Sequence, residues 1–474
     1  MASNQTPREP VDPTQEDEDL LDMDEIGEEI DEEGDHPMEG VDEDIQEEIQ
    51  LQNDSIAHFD AHKDSIFCIT QHPTNPAIIA TGGGDDVGYI FDSTVEPGPV
   101  LPSSYQSEPR QQQERQGLAA LKTLDGHTDS VNAVAFTQPH GEYVVTAGLD
   151  GKLRSWRHSK QGDWSAWDFV AAAGEVEEIN WLAACPNPNQ PNVVALGAND
   201  GSVWVYKIDA ADSGNELNIV MTQYLHTASS TAGAWTPDGS LLATVSEDGS
   251  LYVWDVFESG QATVQLTAED QRFEVEGGLY SVACSSALAA VGGAEGNIKV
   301  VGLPQPADNA KKNKPGKGSN TQASSAGQIL AALQAQTDGI ETLSFSSPPL
   351  TLLAAGSVDG SIALFDTAHR FAVRRHIKEA HEEHAVVKVD FVRNSQKGGW
   401  LLTSAGMDGV VRRWDVRGGT TAAGQGFIKE WQGHRGGGEG GGILGFVQGG
   451  GGNRIVTAGD DSVSLVFKTN IELV

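Results

Sequence analysis

The 474-residue chain is patterned as an all-β protein, an eight-bladed β-propeller, and three observations lead there. The first is an offset: eight times an acidic residue is followed six positions later by a large apolar one, as in Asp150 to Trp156, Asp248 to Trp254 and Asp408 to Trp414. The other pairs are Asp85 to Phe91, Asp200 to Tyr206, Glu295 to Val301, Asp359 to Phe365 and Asp461 to Phe467. The second is a period. Successive apolar members lie 65, 50, 48, 47, 64, 49 and 53 residues apart, and repeats of roughly 40 to 50 residues belong to blades that bury their sheet faces only against neighbouring blades. The third is local: β-branched and aromatic residues alternate through short segments closed by turn residues.

Taken in order, each ordinary repeat reads as an inner strand such as Val131 to Phe136, a second strand such as Tyr143 to Ala147, a turn at Asp150-Gly151 and a third strand, Lys152 to Trp156. A fourth strand follows every time except the last. After Phe467 only seven residues remain, whereas Ser55 to Phe59 precedes His62 as fourth strands precede Gly126-His127 and Gly433-His434. The amino end is therefore expected to supply the outer strand of the final blade, which removes the seam where a terminal blade would fray.

Residues 51–474 form the propeller in this reading. Residues 1–50 carry 21 acidic residues against Arg8 alone, so self-repulsion opposes collapse and an acidic, disordered tail is expected. Two stretches lengthen the period: a Pro/Gln/Ser-rich one at 93–117, and one at 302–327 that holds Lys311, Lys312, Lys314 and Lys317. Both are expected to be flexible insertion loops between blades.

Lys plus Arg number 30 and Asp plus Glu 69, a net charge of −39, of which −20 lies in the first 50 residues and −19 in the rest. Such a charge disfavours nucleic acid and anionic lipid as direct partners and favours a basic protein. Cys68, Cys185 and Cys284 have no metal-ligand spacing and fall in or at the end of inner-strand segments, as packed thiols of a reducing compartment do. With no signal peptide and no eighteen-residue apolar run, a soluble monomer is expected in the cytoplasm, with the nucleus as the other compartment this composition allows.

Several repeats hold a histidine, a hydroxyl and an aspartate at fixed offsets: His127, Thr146, Asp150 with Trp156; His226, Thr244, Asp248 with Trp254; His381, Ser404, Asp408 with Trp414. Each set alone mimics a hydrolase triad. Catalysis needs one exposed, activated nucleophile in a cleft, whereas these sets recur with the aspartate always at a turn, so the pattern reads as structure and no enzyme is expected. In WD-repeat proteins, which the motifs resemble, such residues form a buried relay that pins the inner, second and third strands together. The third, fifth and sixth repeats have Glu175, Val275 and Gln336 at the histidine position and are expected to be softer. The glycine runs Gly82 to Gly84 and Gly436 to Gly442 lack the Gly-Lys-Ser/Thr of a phosphate loop and read as turns. No metal or cofactor is expected; the closest histidine group, His376, His381 and His384, reads as one relay residue with solvated neighbours.

Two positions after the histidine site stand Asp64, Asp129, Glu177, Asp338 and Glu383, an acid in five of eight repeats. Glu178, Glu276 and Glu382 flank that position, and Glu247 and Asp460 directly precede turn aspartates on the same predicted face. Like charges around a narrow channel repel, so the ring implies a binding role relieved by a Lys/Arg-rich segment.

The run Asp54 to Cys68 (DSIAHFDAHKDSIFC), Glu177 to Trp181 (EEINW), Ile340 to Phe345 (IETLSF) with Leu353 to Gly360 (LAAGSVDG), and the acidic leader resemble the angio-associated migratory cell protein family, over nearly all of 51–468. The fungal members, to which the acidic tail is most similar, are ribosome-assembly factors. The resemblance implies a dedicated chaperone that holds the basic amino-terminal segment of a newly made large-subunit ribosomal protein of the L-ten type and assists 60S assembly. The alternative is a general WD-repeat scaffold, either a ubiquitin-ligase substrate adaptor or a histone-binding module.

Overall fold

A computed structural model describes residues 52–95, 115–305, 325–393, 399–418, 426–437 and 440–469. The expected acidic tail at 1–50 lies outside the described residues, as do the middles of both insertions.

Eight sheets, each with four antiparallel strands, follow one another around a ring. Blade 1 starts with inner strand Ile66–Gln71, blade 2 with Val131–Phe136, blade 3 with Ile179–Ala184 and blade 4 with Ser230–Trp235. Blades 5 to 8 start with Leu279–Cys284, Ile340–Phe345, Val386–Phe391 and Ile443–Val447. The second strands are sealed between blades. Ile78–Gly83, Tyr143–Gly148, Val193–Ala198, Leu352–Ser357 and Leu401–Gly406 are buried along their whole length, which explains their small residues. A Cβ on Gly82 would stand 2.4 Å from Val131 of the next blade, and one on Gly292 2.5 Å from Ile340. Glycine there lets the next inner strand approach, and Gly82 and Gly83 accordingly lie within a strand, not in the turn expected of them.

The apolar members of the six-residue offset fill the spaces between blades: Trp156, Tyr206, Trp254, Val301, Phe365, Trp414, Phe91 and Phe467 are all buried. Trp181 crosses from blade 3 to blade 4, where its indole donates to Ser230 Oγ at 3.0 Å. A Cβ on Gly233 would lie 2.1 Å from its ring, so that glycine is a packing requirement.

The ring closes as the sequence predicts. Ala57–Phe59 pairs antiparallel with Ser464–Lys468, with Ala57 opposite Val466 and Phe59 opposite Ser464. Buried Phe59 stacks on Phe91 of blade 1 at 4.2 Å between centroids. The strand is shorter than the expected Ser55 to Phe59, and Asp54 instead exchanges bonds with the backbone of Gln432.

A fifth strand joins this blade: Gln116–Gly117 pairs parallel with Ala57 and His58. The first insertion is thus narrower than 93–117, because its last residues extend a sheet and Ser93 is buried, accepting a bond from Arg454 at 2.9 Å. The second also starts later than expected, since Gly302 completes a strand and Leu303 is buried. No described helix is long and apolar enough to cross a membrane.

Candidate protein-binding face

The histidine sets form the relay inferred from the repeats. In blade 2, His127 Nδ1 lies 3.0 Å from Asp150 Oδ1 and Nε2 lies 2.7 Å from Thr146 Oγ1. Burial would raise the Asp150 carboxyl, but His127 and two backbone amides outweigh it and hold it below the ordinary range. An ionised carboxylate only accepts, so Nδ1 carries the proton and Nε2 accepts from the threonine. In blade 7, His381 reaches Asp408 at 2.9 Å and Ser404 at 2.7 Å, and Trp414 donates to the same serine at 2.9 Å. Blade 4 differs: Ser250 stands between His226 and Asp248, donating to the aspartate, while Trp254 donates to Thr244.

Thr146, Thr244 and Ser404 are all fully buried. The hydroxyls are sealed between strands, where they serve as hydrogen-bond partners of the relay, whereas a catalytic nucleophile needs an open cleft.

Two further complete relays escaped the sequence reading: His62 with Thr81 and Asp85, and His434 with Thr457 and Asp461, all at 2.7 to 2.9 Å. The signal was present, for Thr81 and Thr457 also stand four residues before their aspartates. The degenerate repeats carry replacements. Tyr206 donates to Glu175 at 2.8 Å, Gln336 donates to the Ser361 carbonyl at 2.9 Å, and Val275 joins an apolar cluster with Leu279 and Val291.

The relay also positions the connectors between blades. Asp85, Asp150, Asp248 and Asp359 each accept the backbone N–H of the residue after the histidine position, at 2.6 to 3.0 Å. Two residues beyond the histidine position, Asp64, Asp129 and Asp338 share one geometry. One oxygen of each accepts the N–H of the following residue, Ser65, Ser130 or Gly339, at 2.7 to 2.8 Å.

These carboxylates are exposed, as are Glu177, Glu178, Glu247, Glu276, Glu382 and Glu383. They share one face, because the turn of each blade abuts the connector leaving it. The positions where Cβ atoms of Gly151 and Gly360 would stand are 2.7 Å from the Glu177 carbonyl and 2.2 Å from the Glu382 carbonyl, and Gly278 likewise meets the backbone of Glu247. Asp460 is on this face but half-buried and already bonded, to Ser65 Oγ at 2.6 Å and to the Gly440 N–H at 2.6 Å.

Directly below the connectors, every inner strand carries a β-bulge. In all eight blades the ladder to the second strand skips the second inner-strand residue. Bulges re-aim side chains at barrel rims, and here they set one side chain per blade at the channel mouth. Blades 2 to 4 supply Asn132, Asn180 and Thr231, which donate to the next blade's backbone at 2.6 to 3.0 Å. Val387, Leu444 and Phe67 follow one another in blades 7, 8 and 1. Tyr280 and Glu341 complete the set. The Glu341 carboxyl is pushed up, first by its setting among protein atoms and then by Asp338. Repeat counting along the chain did not find this second tier.

A ring of eight blades pinned by buried relays defines the class: a WD-repeat propeller. The family described as WD domain, G-beta repeat matches residues 53–92, 119–157, 218–255, 327–366 and 374–415. The chain is 50% identical to Chaetomium thermophilum Sqt1 in a crystal structure bound to the N-terminus of the ribosomal protein L10, with TM-score 0.75 and coverage of 88% of this chain and 100% of that one. It is 29% identical to the ribosome assembly protein SQT1 of Saccharomyces cerevisiae over 89% of this chain and 88% of that protein. Human angio-associated migratory cell protein is 26% identical over 88% of this chain and 80% of its own length. The chain belongs to the Sqt1 family of WD-repeat proteins.

Proposed function

We propose that this protein is a non-enzymatic chaperone of ribosome assembly in the cytoplasm. It holds the basic amino-terminal segment of a newly made large-subunit ribosomal protein of the L-ten type across the acidic channel mouth, and so assists assembly of the 60S subunit. The observation that carries the reading is the exposed carboxylate fixed in one orientation before the inner strands of blades 1, 2 and 6, in a family whose Chaetomium member binds the N-terminus of L10.

A free cationic segment attracts RNA and other anions, and an acidic mouth competes for it. Long-range attraction speeds capture. Each well-placed arginine–carboxylate contact contributes on the order of 1.5 to 3 kcal/mol when desolvated and much less when exposed. Release then depends on competition from ribosomal RNA.

The test is binding of the L10 amino-terminal segment at rising ionic strength, with the full chain and with Asp129→Lys, Glu177→Lys, Asp338→Lys combined. Affinity should fall steeply with salt, and the triple variant should lose binding while keeping its melting curve. Salt-independent affinity would remove the electrostatic mechanism. Enrichment of histones or ligase subunits from translating cells, in place of one ribosomal protein, would favour a general scaffold.

A further inference from the structure

Two aromatic side chains at bulge positions have no place in a purely electrostatic mouth. Phe67 is 39% exposed although it lies in the inner strand of blade 1. It stands beside a floor without a side chain. A Cβ on Gly84 would lie 3.0 Å from Asp64 Oδ2 and 3.3 Å from Phe67 Cε2, so carboxylate and ring flank the same bare backbone. Asp64 Oδ1 is held by the Ser65 N–H, which leaves Oδ2 as the atom turned to that space.

A related group lies where blade 5 meets blade 6, with its glycine in the connector and not in the turn. The Tyr280 ring lies 3.5 Å from where a Cβ on Gly339 would stand, and the Gly339 N–H donates to Asp338 Oδ1 at 2.7 Å. Tyr280 Oη donates to the Gly277 carbonyl at 2.6 Å, which pins the ring. This junction of blades 5 and 6 lies across the closed ring of eight from blade 1.

We propose that Asp64, Gly84 and Phe67 on one side, and Asp338, Gly339 and Tyr280 on the other, are two guanidinium sites that select arginine over lysine in the bound segment. A planar guanidinium stacks on an aromatic ring while its edge pairs with a carboxylate. An ammonium, compact and strongly hydrated, satisfies the carboxylate but gains little from the ring. The acids thus set the sign of the partner's charge and the aromatics set its chemical type. The sites rest on the proposed function only for the partner's identity, since their chemistry follows from the mouth itself.

The experiment measures binding of hexa-arginine, hexa-lysine and the L10 amino-terminal segment to the full chain, to Phe67→Leu with Tyr280→Leu, and to Gly84→Ala, whose methyl group crowds Asp64 and Phe67 out of their places. The unaltered protein should prefer hexa-arginine by about ten-fold at equal peptide charge. The double variant should bring the two peptides to parity with unchanged affinity for hexa-lysine, and Gly84→Ala should remove part of the preference. Equal affinity of the unaltered protein for both peptides, or a preference that survives the double variant, overturns the proposal. L10 binding without arginine preference overturns these sites and leaves the chaperone reading standing. Arginine preference without L10 binding supports the sites and overturns that reading.

Discussion

The Ser65 hydroxyl donates to Asp460 Oδ1 at 2.6 Å and lies 3.1 Å from the Asp460 carbonyl, joining the connector into blade 1 to the last turn of blade 8. These two residues stand 395 positions apart and meet across the seam where the two ends of the propeller come together. The second oxygen of Asp460 takes the Gly440 N–H. A carboxylate that repeat register groups with the binding acids is thus committed to holding the ring shut.

Replacing Asp460 with Asn should therefore separate stability from binding. The seam loses charge-assisted bonds worth about 1 to 2 kcal/mol, so thermal unfolding should begin lower. Affinity for a cationic segment should stay within about two-fold, whereas Asp129→Asn should weaken binding at an unchanged melting temperature. An Asp460→Asn protein that melts normally and binds poorly would reassign the residue to the partner.

The closing strand gives a second contrast. Phe59 is buried against Phe91, Val456 and Val466, and truncating a buried phenylalanine costs about 3 to 5 kcal/mol. Phe59→Ala, or deletion of residues 51–59, should lower the melting temperature of the whole propeller in one transition. Deletion of residues 1–45 should leave it unchanged. Equal losses from the two deletions would remove the closing role.

Acid should loosen the ring in two stages. Burial holds the His226 imidazole down at about 4, with Asp248 pulling weakly the other way. The unfolded chain then takes up the proton first, so this stability is complete above pH 6.5 and is lost as the pH falls from 6.5 towards 4. It amounts to on the order of 3 kcal/mol. Asp408 follows. Burial would raise its carboxyl, but His381 and Arg412 hold it at about 2, and its contribution is lost as the pH falls below 3.8. Thermal melts between pH 7 and pH 4.5 should decline for the unaltered protein and less steeply for His226→Gln, which carries the side chain blade 6 already uses at Gln336. Parallel declines would show that His226 does not govern the first stage.

Much of this architecture is legible along the chain because its determinants are local. The aspartate turn, the hydroxyl four residues before it and the aromatic six after it all lie within one hairpin, so their spacing survives even where Val301 replaces tryptophan. Closure was legible from simple arithmetic after Phe467. The bulges were not, since a skipped residue such as Phe67 or Tyr280 is defined by the partner strand and leaves no mark in its own alternation. Gln116–Gly117 was missed for a related reason: two polar residues form no pattern, and their strand exists only because His58 is nearby. Blades 3 and 6 were expected to be soft because histidine is missing. In those blades other partners stand at the relay, Tyr206 with Glu175 and Ser361 with Gln336.

Pairing of Ala57–Phe59 with Ser464–Lys468 also fixes when the ring can close. Until residues 464–468 leave the synthesising ribosome, Ala57–Phe59 has nothing to pair with and blade 8 lacks its outer edge. The connector into blade 1 and the last turn of blade 8, which meet beside that gap, carry Asp64 and Asp460. The acid-bearing face therefore closes only once residues 464–468 have been made, and a copy that stops before them leaves Ala57–Phe59 unpaired.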